Sequence, residues 1–259
     1  MSVNKLGIIL FSGSLIFAVP GGAFAQEKTR QNTTIKDTEK KDTNVPTESD
    51  KESKDASERI AKAVDVLQDL TAAPDKKVPH ELLERAEAIA VIPNMIKGAF
   101  GVGGNYGKGM VSQRLPNGNW SQPAYLQIGG GSFGAQLGVS STDLVLVFTD
   151  RKALDLLEGG KDLKLGADAG VVAGPIGRTA EAGVNANLKS AIYAYSRSKG
   201  LFAGVALDGA LLSTDKDMNE KMYVPSVSAE SILKGTAAAN STAQPFVTAL
   251  EKYVPPKTA

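Results

Sequence analysis

Twenty-two of the chain's 27 glycines fall between Gly98 and Gly209, threaded through short runs that are β-branched or alternate in polarity. No other feature restricts the fold as much. Phe100 to Gly104, Lys108 to Arg114, Trp120 to Ile128, Phe133 to Val139 and Leu144 to Phe148 read as antiparallel strands, as do Leu163 to Val172, Ala182 to Tyr195 and Leu201 to Leu212. Glycine within a strand marks a bulge, a bend or the close approach of another backbone. Such density predicts a curved antiparallel sheet, a small closed or nearly closed β-barrel. Pro116-Asn117-Gly118-Asn119 is the clearest tight turn, because Asn-Gly supplies the positive φ angles a short hairpin needs.

Helices flank this sheet, which makes the class α+β. Ser57 can cap a helix whose apolar residues Ile60, Val64, Leu67 and Leu70 recur at helical spacing and which ends before Pro74. A second helix is expected from Pro79 through Leu82, Leu83, Ala86 and Ile89, stopping near Pro93. Asp150 can cap a third, with Ala153, Leu154 and Leu157 as its apolar stripe and Gly159-Gly160 as its end. After Ser213 the chain turns helical through Asp217 to Met222, Ala229 to Leu233 and Phe246 to Tyr253.

The N-terminus addresses compartment. Lys5 precedes the apolar run Leu6 to Val19, then Pro20, two glycines and Ala23-Phe24-Ala25. This is the pattern of a secretory leader cleaved after Ala25. Its fourteen apolar or small residues fall short of the roughly 20 that cross a bilayer core. Residues 26–56 are charged, hydroxylated and amide-bearing with almost nothing to bury, so a disordered polar tether is expected there. Residues 57–259 then form one domain, placed in the periplasm or secreted.

Chemistry is constrained mainly by what is missing. The chain has no cysteine, hence no disulfide, thiolate nucleophile or zinc-thiolate site. Its one histidine, His80, starts a helix, and no Gly-x-Ser-x-Gly elbow accompanies it. Gly129 to Gly134 matches G-x-G-x-x-G but leads into strand-like sequence, where the dinucleotide motif needs a helix. Gly107-Lys108 lacks the other residues of a phosphate loop, and Asp215-x-Asp217-x-Asn219 lacks the glycine and the final glutamate of a calcium loop. No catalytic residue, cofactor or metal follows, and the reading is non-enzymatic. With Lys5 removed, 28 basic residues balance 28 acidic ones. Nucleic-acid binding is therefore unsupported, and any attraction to a membrane must come from a local patch.

Surface binding is the class left. Tyr193 to Phe202 sets Arg197 and Lys199 between aromatic residues, which suits phosphate headgroups at an interface. The alternative, with Tyr193, Tyr195 and Phe202 in the core and the cations solvated on turns, stays open at this level.

Five blocks in order, LLERAEAIAVIP (Leu82 to Pro93), KGAFGVGGNYGKG (Lys97 to Gly109), STDLVLVF (Ser141 to Phe148), GADAGVVAGPIGR (Gly166 to Arg178) and YSRSKGLFAGVALDG (Tyr195 to Gly209), resemble the SYLF lipid-binding domain from about Ser57 to Tyr223. The resemblance implies a domain of the kind found at phosphoinositide membranes in eukaryotes and on actin filaments in fungi. For an exported bacterial member it implies anionic phospholipid, or a membrane surface, as the partner. It also implies contact through an N-terminal amphipathic helix and a basic surface. The candidate site is then Lys97, Lys108, Arg178, Arg197 and Lys199 for the headgroup, with Ile60, Val64, Leu67 and Phe202 for the membrane. A protein-interaction or self-assembly module with an envelope protein partner is the alternative. An outer-membrane barrel is disfavoured by the low aromatic content and the helices.

Overall fold

The computed structural model describes residues 48–70, 78–100, 102–132, 138–176, 191–223, 225 and 227–257. The expected leader, the tether up to residue 47, residues 133–137 and residues 177–190, Arg178 included, lie outside the described residues.

Among the described residues nine strands form one sheet: β1 (Ala88–Phe100), β2 (Val102–Gln113), β3 (Ala124–Ser132), β4 (Gly138–Phe148), β5 (Leu163–Lys164), β6 (Val171–Ala173), β7 (Ile192–Ser198), β8 (Leu201–Gly204) and β9 (Leu211–Thr214). Their order is β5-β9-β3-β2-β1-β4-β7-β6, with β8 also on β7. All pairs are antiparallel except β6 with β7. The expected α+β domain with a curved sheet is what the structure contains. Its curl stops at an open half-barrel, because β5 and β6 end the order without pairing to each other.

One expected helix is corrected. The helix begun at Pro79 is only α2 (His80–Glu84), and Ile89 to Pro93 belong to β1. Ala88 through Ile92 are fully buried, so the stretch shows no strand-like alternation, and an apolar run of this length does not distinguish strand from helix. Pro93 and Asn94 sit where the pairing of β1 shifts register. Asn94 takes φ +50° there and donates its main-chain N–H to Asp143 Oδ1 at 2.9 Å. The glycines of β2 make this bulge tolerable. A Cβ at Gly109 would stand 2.2 Å from the Val91 carbonyl oxygen and 2.7 Å from Ile92 Cα.

A second correction concerns α1 (Glu48–Asp69), which begins nine residues before the expected boundary at Ser57. Ala56, Ile60, Ala63, Val66, Leu67 and Leu70 form its buried stripe, each large member contributing about 1.5–3 kcal/mol on burial. The stripe packs on β1 and on α6 (Gln244–Tyr253). The remaining helices, α3 (Lys152–Glu158), α4 (Lys216–Met222) and α5 (Ala229–Leu233), stand within a residue or two of the expected spans, with Arg151 rather than Asp150 at the N-cap of α3.

Polar ties fix these parts to one another. Asn219 of α4 acts as a short strand: its Oδ1 accepts the Tyr125 N–H at 2.7 Å and its Nδ2 donates to the Tyr125 carbonyl at 3.0 Å. The Arg114 side chain, only 3% exposed, donates to the carbonyls of Ala86 at 3.0 Å and Pro255 at 2.9 Å and stacks on Trp120 at 4.5 Å. Burial pulls its pKa down, and Glu87 works against that.

Glu87 meets Arg151 at 3.3 Å and also pairs with Lys257. Burial alone would raise its pKa, but the hydrogen bonds and charges of Lys257 and Arg151 outweigh burial and hold it below the ordinary value. A carboxylate with a depressed folded pKa stabilises the protein above its unfolded pKa. That contribution is lost as pH falls through the folded value. Glu87→Gln is accordingly expected to cost about 0.5–1 kcal/mol at neutral pH, both cations being half exposed. The gap should close under acid conditions. Denaturation curves of both proteins across pH check this, and a pH-independent gap would contradict it.

Candidate functional site

Four of the five expected cations fall among the described residues. Register places Lys97 opposite Asn105 and Ser140, on the other face of the sheet from its neighbour Ile96. Lys108 is bound at 2.8 Å to Asp215 Oδ2, whose other oxygen caps α4 by accepting from Met218 N–H. Arg197 lies 3.3 Å from Asp69 of α1 and 3.5 Å from Asp143. Lys108 and Arg197 thus join parts of the fold. Lys199 is exposed on the β7–β8 turn with φ +51°, and Arg178 lies outside the described residues.

The expected membrane contacts lie in or against the core. Ile60, Leu67 and Phe202 are 2%, 0% and 5% exposed, and Val64 packs against the same core. The apolar stripe of α1 is amphipathic because it covers the sheet, so it is not free to meet a lipid surface. Tyr193 and Tyr195 are buried too, as the open alternative allowed.

What the sheet does expose is a row that sequence reasoning missed. Lys164 of β5 pairs with Leu211 of β9, Leu211 with Gly129 of β3, Gly129 with Tyr106 of β2, Tyr106 with Ile96 of β1, and Ile96 with Ser141 of β4. Directly paired residues share a face, so these six positions form one line across six strands. Ile96 and Tyr106 are 51% exposed and Leu211 is 40% exposed. An added Cβ at Gly129 would meet no atom within 4 Å. Lys164 is exposed at one end. At the other, the antiparallel register of β7 on β4 carries Lys199 toward Ser141. Neither lysine makes an ion pair among the described residues. A complete register could have revealed this row; periodicity within one strand could not.

Beside the row, α1 and the β1–β2 ribbon enclose a cleft of about 240 Å³, lined by Asp55, Glu58, Arg59, Lys62, Pro93, Asn94, Ile96, Tyr106, Gly107 and Lys108. Arg59 stands three residues after buried Ala56 and four before buried Ala63, on the edge of the covered stripe. Its Nη1 is enclosed with no hydrogen-bond partner, and the Tyr125 hydroxyl is in the same condition. The two groups interact: burial pushes the Tyr125 pKa up to about 12, and the charge of Arg59 works against that rise. A buried donor without an acceptor costs about 1–3 kcal/mol, more when charged.

Among the described residues no group of three or more His, Cys, Asp or Glu side chains could hold a metal ion. None of the described helices is long and apolar enough to cross a membrane. His80 faces Glu84, with Nδ1 and Oε1 2.9 Å apart.

A family model described as Ysc84, Las17-binding protein actin regulator, matches residues 129–253. SH3 domain-containing YSC84-like protein 1 of Bos taurus is 33% identical over 197 residues, covering 74% of this chain and 58% of the relative. Its Mus musculus counterpart is 35% identical over 179 residues, covering 67% and 52%. Protein YSC84 of Saccharomyces cerevisiae is 35% identical over 179 residues, covering 68% of this chain and 38% of the relative. The chain spans about half the length of the curated relatives it matches. No solved structure matches it significantly.

Proposed function

The chain belongs to the SYLF family of Ysc84-like proteins, and from that premise we propose that it is a non-catalytic binding domain for anionic phospholipid surfaces. The observation that carries the reading is the exposed row of Ile96, Tyr106 and Leu211 with a lysine toward each end. Exposed apolar residues in a line are a means of contact, and tyrosine suits the boundary between headgroup and acyl chain. A free lysine beside an anionic leaflet contributes about 1 kcal/mol. This reading moves the contact from the α1 stripe, which is covered, to the sheet. Export to the periplasm or beyond belongs to the same proposal and is supported by Lys5, the Leu6 to Val19 run and Ala23-Phe24-Ala25.

Flotation of the chain from Gln26 onward with phosphatidylglycerol or cardiolipin vesicles tests it. Binding is expected at low salt and should weaken severalfold well above 0.1 M, where charges are screened within about 10 Å. Absence of binding at low salt would overturn the proposal.

A second reading is favoured by the printed description of the matching family model, which names a protein partner, Las17. The same row could seat a protein of the envelope or another copy of the chain. Association that persists in high salt and ignores lipid charge would favour it.

A further inference from the structure

The geometry points to a ligand for the cleft between α1 and the β1–β2 ribbon: a phosphate ester carrying a nearby primary ammonium, as in ethanolamine- or serine-type headgroups. This rests on the lipid reading for the ligand's source and on the cleft alone for its chemistry. The charged side chains lining the cleft are Asp55, Glu58, Arg59, Lys62 and Lys108. Lys108 is already balanced by Asp215 at 2.8 Å. Two cations and two carboxylates remain, so a polyanion gains little there, whereas a zwitterion finds a partner for each end. The spacings Asp55–Arg59 and Glu58–Lys62 are i,i+4, yet neither pair is among the ion pairs closed by the described residues. Glu58 has only a long contact of 4.0 Å with exposed Lys54.

Arg59 is the natural seat for the phosphate. It lines the cleft, and its Nη1 has no hydrogen-bond partner. A phosphate oxygen is the acceptor such a group lacks, and the planar guanidinium matches phosphate geometry. Asp55 and Glu58 are exposed and can receive the N–H donors of a primary ammonium; a trimethylated choline offers none. The volume of about 240 Å³ lies below the roughly 300–1,000 Å³ of pockets for drug-sized molecules, which suits a headgroup rather than a whole lipid. Ile96 and Tyr106 line the cleft and also belong to the exposed row, so acyl chains of a seated lipid can leave along that row.

The test is calorimetric titration of the full chain with glycerophosphoethanolamine and glycerophosphocholine. Co-sedimentation then uses vesicles equal in phosphatidylglycerol and differing only in ethanolamine or choline lipid. The ethanolamine ester should bind about tenfold more tightly, the scale of one charge-assisted hydrogen bond. Arg59→Gln should remove that preference, and so should Asp55→Asn with Glu58→Gln, which alters exposed positions only. Binding to phosphatidylglycerol itself should persist in both variants. Equal affinity for the two esters, or a preference that survives both variants, overturns the assignment even where vesicles bind. A preference among soluble esters without any vesicle binding supports the cleft and overturns the lipid reading instead.

Discussion

Gly109→Ala is expected to destabilise the protein by about 3 kcal/mol or more, at or above the top of the usual range for overpacking. The new methyl carbon would stand 2.2 Å from the Val91 carbonyl oxygen and 2.7 Å from Ile92 Cα. Both are main-chain atoms, so no rotamer change relieves the contact. β1 cannot yield alone either, because on both flanks of its bulge it is paired with β2 on one side and β4 on the other. Gly129→Ala is the matched control, with no atom within 4 Å of its added carbon, and should stay within about 0.5 kcal/mol of the parent. Chemical denaturation of the three proteins decides it. A stable Gly109→Ala protein would mean that β2 does not approach the β1 bulge as closely as described.

Arg114→Ala carries the next largest expected effect, about 2–3 kcal/mol, the upper part of the range for leaving buried groups without their hydrogen-bond partner. The guanidinium ties the Ala86 carbonyl, just before β1, to the Pro255 carbonyl, just beyond α6. It also covers the Trp120 ring. Removing it leaves carbonyls without their donor and a ring without its cover. The segment after α6 should then become accessible to carboxypeptidase under conditions where the parent resists. Arg114→Lys should not restore stability, since a single ammonium cannot reach both carbonyls in the fixed fork geometry of arginine. A loss below about 1 kcal/mol would contradict this role.

Local signals were read correctly where local physics decides. Asn117-Gly118 does make its turn, with Gly118 at φ +86°. The α3 stripe of Ala153, Leu154 and Leu157 is buried as its spacing implies. Asp215, which began like a calcium loop, caps α4 instead. Failures arose where distant residues decide. Ile89 to Pro93 read as helix because a strand buried on both faces loses its alternation. Lys108 read as a headgroup ligand because its carboxylate partner is 107 residues away in sequence. The partners of Arg197, on α1 and β4, are equally out of reach of a local reading. Ile96 and Tyr106 do not stand out in sequence and form an exposed row only when register sets them in line with Leu211 and Gly129.

The central claim is that a membrane surface meets the sheet at this row. Tyr106→Trp places a fluorophore there, and the chain's one native tryptophan, Trp120, is only 5% exposed, so its emission is a background shielded from the membrane that the parent protein measures. Fluorescence of that variant should be read on phosphatidylglycerol vesicles with brominated acyl chains. The account predicts a blue shift and strong quenching for the substituted protein, with the parent's emission nearly unchanged. Vesicles that bind the variant yet leave its new emission unshifted and unquenched would contradict it.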